Sequence, residues 1–270
     1  MPRGRREGLR ASDRAGVKWP TPACDDRHGL TPDGRSRHRE GVDQQLAISS
    51  LRDSCLFEGA DERALQDVAR QLRRRRFRRN ETIFHQGDPG DAVHVVSAGA
   101  VKIVLPSLEG EEAIIATLRS GDFFGELALL DGAPRSATAV ALETSETWTL
   151  PRAAFLELID RDKALRESLL AGLAVELRRI TGHVEDLHFL DLAGRLASRL
   201  ARLAREADPE SNEVRLDWPY TQSDLASMIG GTRQSVNKLL SGLVDRGLVI
   251  IAKDTLLIPD VEALEREAER

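Results

Sequence analysis

Apolar residues recur along this chain in three rhythms, and each rhythm predicts a different kind of element. Leu65, Val68, Ala69 and Leu72 fall at helical spacing behind Asp61-Glu62, after a shorter pattern through Leu51, Leu56 and Phe57. The basic run 73–79 reads as the charged end of that helix. From 77 to 150 the rhythm shortens. Thr82–Phe84, Val93–Val96, Val101–Leu105, Ala113–Leu118, Thr138–Val140 and Thr147–Leu150 are β-type runs. Turn signals separate them: Gly87 to Asp91, Gly99, Glu109-Gly110 and Ser120-Gly121-Asp122. Regular short strands with glycine turns predict a small antiparallel barrel or sandwich.

A helical rhythm then returns. Ala153–Ile159 reads as a short helix. In Asp162–Leu187, residues Leu170, Leu173, Leu177, Ile180, Val184 and Leu187 are spaced 3, 4, 3, 4 and 3 apart. That is an a/d seam, narrower than the stripe of a helix lying on its own domain, and it predicts a parallel two-helix dimer interface. The alternative is a helix packed on its own domain. Asp191 is placed to cap the next helix, with Leu192, Leu196, Leu200 and Leu203 on one side. After a loop at 208–212, Val214–Trp218 reads as a strand.

Two short helices joined by Gly230-Gly231 follow. Thr221 and Asp224 have capping-box spacing, and Thr232 can cap the second helix. Leu225, Ala226 and Ile229 form the inner face of the first helix. Val236, Leu239, Leu240 and Leu243 form that of the second. This is a helix-turn-helix pattern, and the hairpin expected over 248–258 adds a wing. Residues 263–270 read as a polar tail without a task.

Composition narrows the classes. The chain has 270 residues, 41% of them hydrophobic and 31% charged, with a net charge of -5. Two domains are affordable, and any nucleic-acid face must be local. Cys24 and Cys55 have no metal or disulfide spacing, and Cys55 is expected to be a small buried apolar residue. No apolar run is long enough to span a membrane, and the Arg-rich N-terminus lacks an apolar signal core. A cytoplasmic location without membrane contact is expected. Residues 1–45 are rich in Arg, Asp, Gly and Pro, with Trp19 the sole aromatic, and read as a disordered extension. The interspersed acids argue against a basic arm on DNA.

Candidate chemistry concentrates in 121–141. Gly125-Glu126-Leu127 is followed by one apolar helical turn and then by Arg135-Ser136-Ala137. A helix start beside a guanidinium makes a phosphate site, and a carboxylate can accept from a neighbouring sugar hydroxyl. The pair describes a pocket for a small phosphate bearing a ribose. No nucleophile, metal-ligand spacing or phosphate loop accompanies it, so binding is expected rather than catalysis, with no metal or prosthetic group. On the second short helix Arg233, Gln234 and Lys238 share an outward face suited to base edges. Thr221, Gln222, Ser223, Thr232 and Ser235 are donors at helix starts suited to phosphates, and Asn237 also faces out.

From about Leu51 to Ile258 the chain resembles the cyclic-AMP receptor protein / fumarate-nitrate regulator family of bacterial transcription factors. The carriers are Gln86-Gly87-Asp88-Pro89-Gly90-Asp91, Gly125-Glu126-Leu127 with Arg135-Ser136-Ala137, Phe189-Leu190-Asp191, and Thr232-Arg233-Gln234-Ser235-Val236-Asn237, in that order. The resemblance implies an α+β fold. An antiparallel, jelly-roll-like β-roll for a cyclic nucleotide would span 46–160 and a dimerisation helix 161–190. A winged helix-turn-helix domain would span 191–262. It implies a ligand-gated, sequence-specific DNA-binding regulator, homodimeric through the 165–187 helix and working with RNA polymerase. Cyclic AMP or a related cyclic nucleotide would be its effector. Arg135 and Ser136 would hold the phosphate and Glu126 the ribose hydroxyl, with Gly125 admitting the backbone and Leu127 and Ala137 completing the motif. The family reads adenine with a polar Thr-Ser pair on the long helix. Here those positions are Ile180, which offers no hydrogen bond, and Thr181, which can reach a base. Gln234 stands where many relatives carry Glu, so a different operator is expected. Two other readings are a constitutive DNA binder and a cyclic-nucleotide module acting on a partner protein.

Overall fold

The computed structural model describes residues 35–269 apart from Gly59, Leu108 and Asp254, with side chains along the first helix described from Gln44 onward. The expectation for residues 1–34, Cys24 included, lies outside the described residues. For 35–45 it is corrected, because helix α1 runs Arg35–Arg52. Ala47 and Leu51 anchor that helix, and Trp148 Nε1 donates to Ser50 Oγ at 3.1 Å. The polar first half therefore extends a helix held at its other end. A short turn over Cys55–Phe57 buries Leu56 and Phe57 but leaves Cys55 exposed, contrary to the expectation for that thiol. Asp61 caps α2 (Glu62–Ala69), accepting from Ala64 N–H at 2.7 Å.

The β-roll is two four-stranded antiparallel sheets. One has the order β1 (Arg73–Phe77), β8 (Ser145–Pro151), β3 (Ala92–Ala98), β6 (Phe123–Phe124). The other has the order β2 (Thr82–Phe84), β7 (Thr138–Ala141), β4 (Val101–Pro106), β5 (Glu112–Leu118). β1 corrects the helical reading of 73–79. Arg73 pairs with Thr149 and Phe77 with Ser145. The four arginines alternate across the strand, and Arg74 and Arg76 meet Glu146 on the neighbouring strand. Val96, Val101, Phe124 and Ala139 fill the space between the sheets. On the outer side of the first sheet, Val93, Val95, Trp148 and Leu150 pack against α1, α2, α4 (Arg152–Arg161) and the start of α5. Between β6 and β7 the chain inserts one helical turn, α3 (Leu127–Leu130).

α5 runs Lys163–Phe189, capped by Asp162. Leu165 and Leu169 at its start are buried in the roll's core. Beyond them Leu170, Leu177, Ile180, Val184 and Leu187 are exposed in the single chain, while Leu173 is partly covered. Asp191 caps α6 (Leu192–Ala207) through Gly194 N–H at 2.8 Å.

The C-terminal part is α6, β9 (Val214–Asp217), α7 (Gln222–Ile229), α8 (Arg233–Asp245), β10 (Ile250–Ala252), β11 (Thr255–Ile258) and α9 (Val261–Ala268). Its three strands form one sheet in the order β10-β11-β9. The segment read as an idle tail is structural. Val261, Leu264 and Ala268 of α9 are buried, and Glu265 pairs with Arg205 at 2.9 Å. A Cβ at Gly194 would lie 2.7 Å from Ala268 O, so α6 and α9 approach as closely as they do only because that residue is glycine.

The outer side of the second sheet packs on this domain. Val104, Ile114, Val140 and Leu142 share a core with Leu196, Leu200, Leu225 and Ile229. Lys102 Nζ reaches Asp224 Oδ1 at 2.9 Å, and Arg79 donates to Pro219 O at 3.0 Å.

Candidate functional site

The turn after β2 and the segment before β7 are knitted together, and this is what sets Arg135. Gly87 N–H donates to Arg135 O at 2.9 Å and Arg135 N–H to Asp88 O at 2.8 Å. Gln86 N–H donates to Thr138 Oγ1 at 2.9 Å, and its side chain to Ser136 O at 3.1 Å. Gly90 lets the turn close over α3, since a Cβ there would meet Ala128 Cβ at 2.6 Å. The sequence displayed this turn as a motif but not its task.

Arg135 is only 3% exposed. Its Nη1 donates to Gly125 O at 2.6 Å, and its Nη2 to Asp91 Oδ1 at 3.0 Å and Ala92 O at 2.8 Å. The guanidinium lies 4.2 Å from the centroid of Phe84. Burial presses its pKa below the usual value against the pull of Asp91. Its Nε is buried without a partner. A strongly held cation with one uncommitted donor is a good receptor for an anionic oxygen. Gly125, at φ 85°, is required here, because a Cβ would stand 2.5 Å from Arg135 Nη1.

Glu126 sits at the start of α3, and its carboxyl pKa is pushed up to about 7. Burial is the main cause, and Glu176 of α5 adds to it. The backbone N–H of Glu126 and the charge of Arg135 oppose the rise. Leu127 and Ser136 are exposed and Ala137 is buried. Beneath the cassette His94 stacks on Phe124 at 4.9 Å and shares a 3.2 Å hydrogen bond with Thr147. Burial, then Arg135, pushes His94 down to about 4, so it is neutral at pH 7. Thr181 is exposed on α5, and its hydroxyl donates back to Leu177 O at 3.0 Å. Within one chain it is not joined to the cassette. Among the described residues no group of three His, Cys, Asp or Glu could hold a metal, and no helix is long and apolar enough to cross a membrane.

The second face lies on α7 and α8. Thr221 and Asp224 form a reciprocal capping box, and Gly230 ends α7 in the left-handed region at φ 70°. Thr232 caps α8, accepting from Ser235 N–H at 3.1 Å. Its hydroxyl also meets that of Ser235 at 2.9 Å. Arg233, Gln234 and Lys238 are exposed together on the outer side of α8. Gln222 and Asn237 bond each other at 2.8 Å, bracing the two helices. Ser223 is exposed at the first turn of α7. Asp224 faces away from this surface, toward Lys102, a contact the sequence did not signal.

A β-roll carrying a buried guanidinium, a long helix and a winged helix-turn-helix define an effector-responsive DNA-binding protein. Residues 74–162 match the cyclic nucleotide-binding domain, and residues 194–267 match the Crp-like helix-turn-helix domain. The CRP-like cAMP-activated global transcriptional regulator of Mycobacterium tuberculosis is 33% identical over 214 residues, 79% of this chain and 96% of that protein. The chain belongs to the CRP family of cyclic-nucleotide-binding transcription regulators. The cyclic AMP receptor protein of Thermus thermophilus is 32% identical over 218 residues, covering 81% of this chain and 98% of that one. In fold alone the chain is similar to FixK2 from Bradyrhizobium japonicum, with a TM-score of 0.65 at 22% identity, over 72% of this chain and 96% of that one.

Proposed function

We propose that this protein is a homodimeric transcription regulator gated by cyclic AMP or a closely related cyclic nucleotide. The observation that carries the reading is the unpartnered, buried Nε of Arg135, whose charge acts on Glu126. Arg135 and Ser136 bind the cyclic phosphate, Glu126 accepts from the ribose 2′-hydroxyl, and Gly125, Leu127 and Ala137 shape the cradle. The exposed apolar seam on α5 is the dimer face, and pairing there brings Thr181 of one chain to the base in the other. Arg233, Gln234 and Lys238 read base edges in the major groove, and Thr221, Gln222, Ser223, Thr232, Ser235 and Asn237 position the backbone. Two such helices related by a dyad suit a pseudo-palindromic operator, from which RNA polymerase is engaged. Relatives named as cAMP-activated support the choice of effector.

Calorimetry against cyclic AMP, cyclic GMP and cyclic di-GMP tests the effector, with gel-shift titrations run with and without the ligand that binds. Arg135→Lys keeps a cation near Gly125 O and Asp91, and is expected to lose nucleotide affinity at least tenfold while still folding. Unchanged nucleotide and DNA affinity in that variant would refute the gating.

A second reading rests on Ile180, apolar and exposed on the seam where a base-reading group is expected. It holds that the dimer binds DNA without an effector. Equal operator affinity with and without cyclic AMP favours it.

A further inference from the structure

Away from the cassette, a second set of polar side chains converges where the roll, α5 and the DNA-binding domain meet. Arg179, His183 and Asp186 of α5 and Arg195, Arg199 and Arg202 of α6 line one small crevice. Ile115 of β5 and Ile229 of α7 supply apolar wall. Four guanidinium groups therefore share the space with one carboxylate. Three of them have acceptors. Arg179 is held by Glu176 at 2.8 Å, Arg195 by Leu190 O at 3.2 Å and Ile229 O at 2.9 Å, and Arg202 by Asp186 at 2.8 Å.

Arg199 is the exception. Its Nε is buried without a hydrogen-bond partner. Burial bears on its pKa more than any neighbouring charge does, and pushes it down. A guanidinium cannot shed its proton at physiological pH, so the charge stays; Glu206 offsets part of it, but no acceptor meets the Nε. Tyr220, near Arg199 but outside the lining of the crevice, has a buried hydroxyl that also lacks a partner. His183 is disfavoured as a cation, first by burial and then by Arg199, which leaves it neutral and able to donate one N–H. The space is about 20 Å³ for the centre of a water-sized group. A single water needs about 10–15 Å³ on the same measure, so a small occupant fits. Water would satisfy the hydrogen bond but add no countercharge where four guanidinium groups line the space with one carboxylate. An anion satisfies both.

We propose that this crevice binds a small inorganic anion, held by Arg199 with His183, which ties the DNA-binding domain to the roll. The site is separate from the cassette and does not depend on the identity of the effector there. Its walls come from β5, α5, α6 and α7, so occupancy favours the docked arrangement of all four.

The test is thermal unfolding of the full chain without nucleotide, at constant pH and ionic strength. Gluconate is replaced stepwise by chloride and, in a second series, by inorganic phosphate. The expected result is a saturable rise in Tm of about 2–4 °C with one or both ions. Arg199→Met removes that rise and, having lost a buried donor without a partner, melts no lower than the unaltered chain in gluconate. The same ion-dependent rise in Arg199→Met would mean adventitious surface ions only, and no rise in the unaltered chain would mean that water fills the crevice; either overturns the proposal. Should Arg199→Met not fold, bromide-soaked crystals of the unaltered chain decide instead. An anomalous peak beside the Arg199 guanidinium supports the site, and a crevice without one refutes it.

Discussion

Replacing Lys102 by methionine should loosen the DNA-binding domain from the roll while leaving α7 capped. Lys102 Nζ lies 2.9 Å from Asp224 Oδ1, and the two side chains are 12% and 11% exposed. Glu112, at 3.7 Å, is a weaker second partner. Breaking a fully buried pair costs about 3–5 kcal/mol, because the survivor is left charged and unpaired. Here the survivor is not abandoned. Asp224 Oδ2 still accepts from Thr221 N–H at 2.9 Å and Thr221 Oγ at 2.7 Å. The loss should therefore be that of one charge-assisted hydrogen bond, about 1.5–3 kcal/mol. Methionine keeps the packing of the lysine stem. That corresponds to a fall in Tm of roughly 3–12 °C for a chain of this size. A double-mutant cycle with Asp224→Asn, at fixed chain concentration, isolates the pair, and amide exchange should accelerate in α7 and not in α3. Burial alone would raise the Asp224 pKa, but the bonds from Thr221 and Lys102 outweigh it and hold the group below its ordinary value. The contribution is thus present above the unfolded-state pKa and disappears as pH falls through the lower, folded one. A coupling energy within about 0.5 kcal/mol of zero at neutral pH would refute the reasoning.

Three further outcomes are expected. The Glu126 carboxyl, raised from 4.5 to about 7 chiefly by burial, binds more protons folded than unfolded between those values. Stability should therefore fall as pH rises through that window, and Glu126→Gln should flatten the slope in pH-dependent urea unfolding. Leu264→Ala, at a fully buried position on α9, should cost about 2–5 kcal/mol in the same assay, and a loss under about 1 kcal/mol would return α9 to the status of a tail. Leu177→Asp, on the exposed seam, should raise the dimer dissociation constant about a hundredfold or more in sedimentation while the fold persists. Undiminished dimerisation would remove the seam as the interface.

What could be read from the sequence was what is local in it. Asp191, Thr221 and Thr232 each cap a helix whose first turn lies within three residues, so the signal and the structure it makes are adjacent. The β-type runs also hold, because inward residues such as Val101 and Ile103 alternate with outward ones. The failures are decided elsewhere in the chain. Arg73–Phe77 is a strand because β8, some seventy residues on, offers it a ladder. Phe123–Phe124 is too short to show a period. At the site, Glu126 and Arg135 were visible as residue types nine apart. That Arg135 is held by Asp91, 44 residues away, and Asp224 by Lys102, 122 away, was not.

α5 shows how local and distant information combine. The seam residues Leu173, Leu177, Ile180, Val184 and Leu187 each follow by one position a residue of a second stripe: Gly172, Glu176, Arg179, His183 and Asp186. One position is about 100° around a helix, so the two stripes are neighbouring faces of one rod. The second stripe faces other parts of the same chain. Gly172 lets α5 lie on the Phe123 ring, where an added Cβ would stand 3.2 Å away. Glu176 bears on the charge of Glu126, and Arg179 on that of Asp122. His183 and Asp186 face α6, where Asp186 holds Arg202. Because a helix turns as a unit, rotating α5 to improve the seam must move Glu176 relative to Glu126 and Asp186 relative to Arg202. A change at the cassette that displaces Glu176 must in turn move the seam. If the cassette holds the effector and the seam pairs two chains, as proposed, their linkage to the DNA-binding domain needs no chain of intermediate contacts, because one helix carries all three.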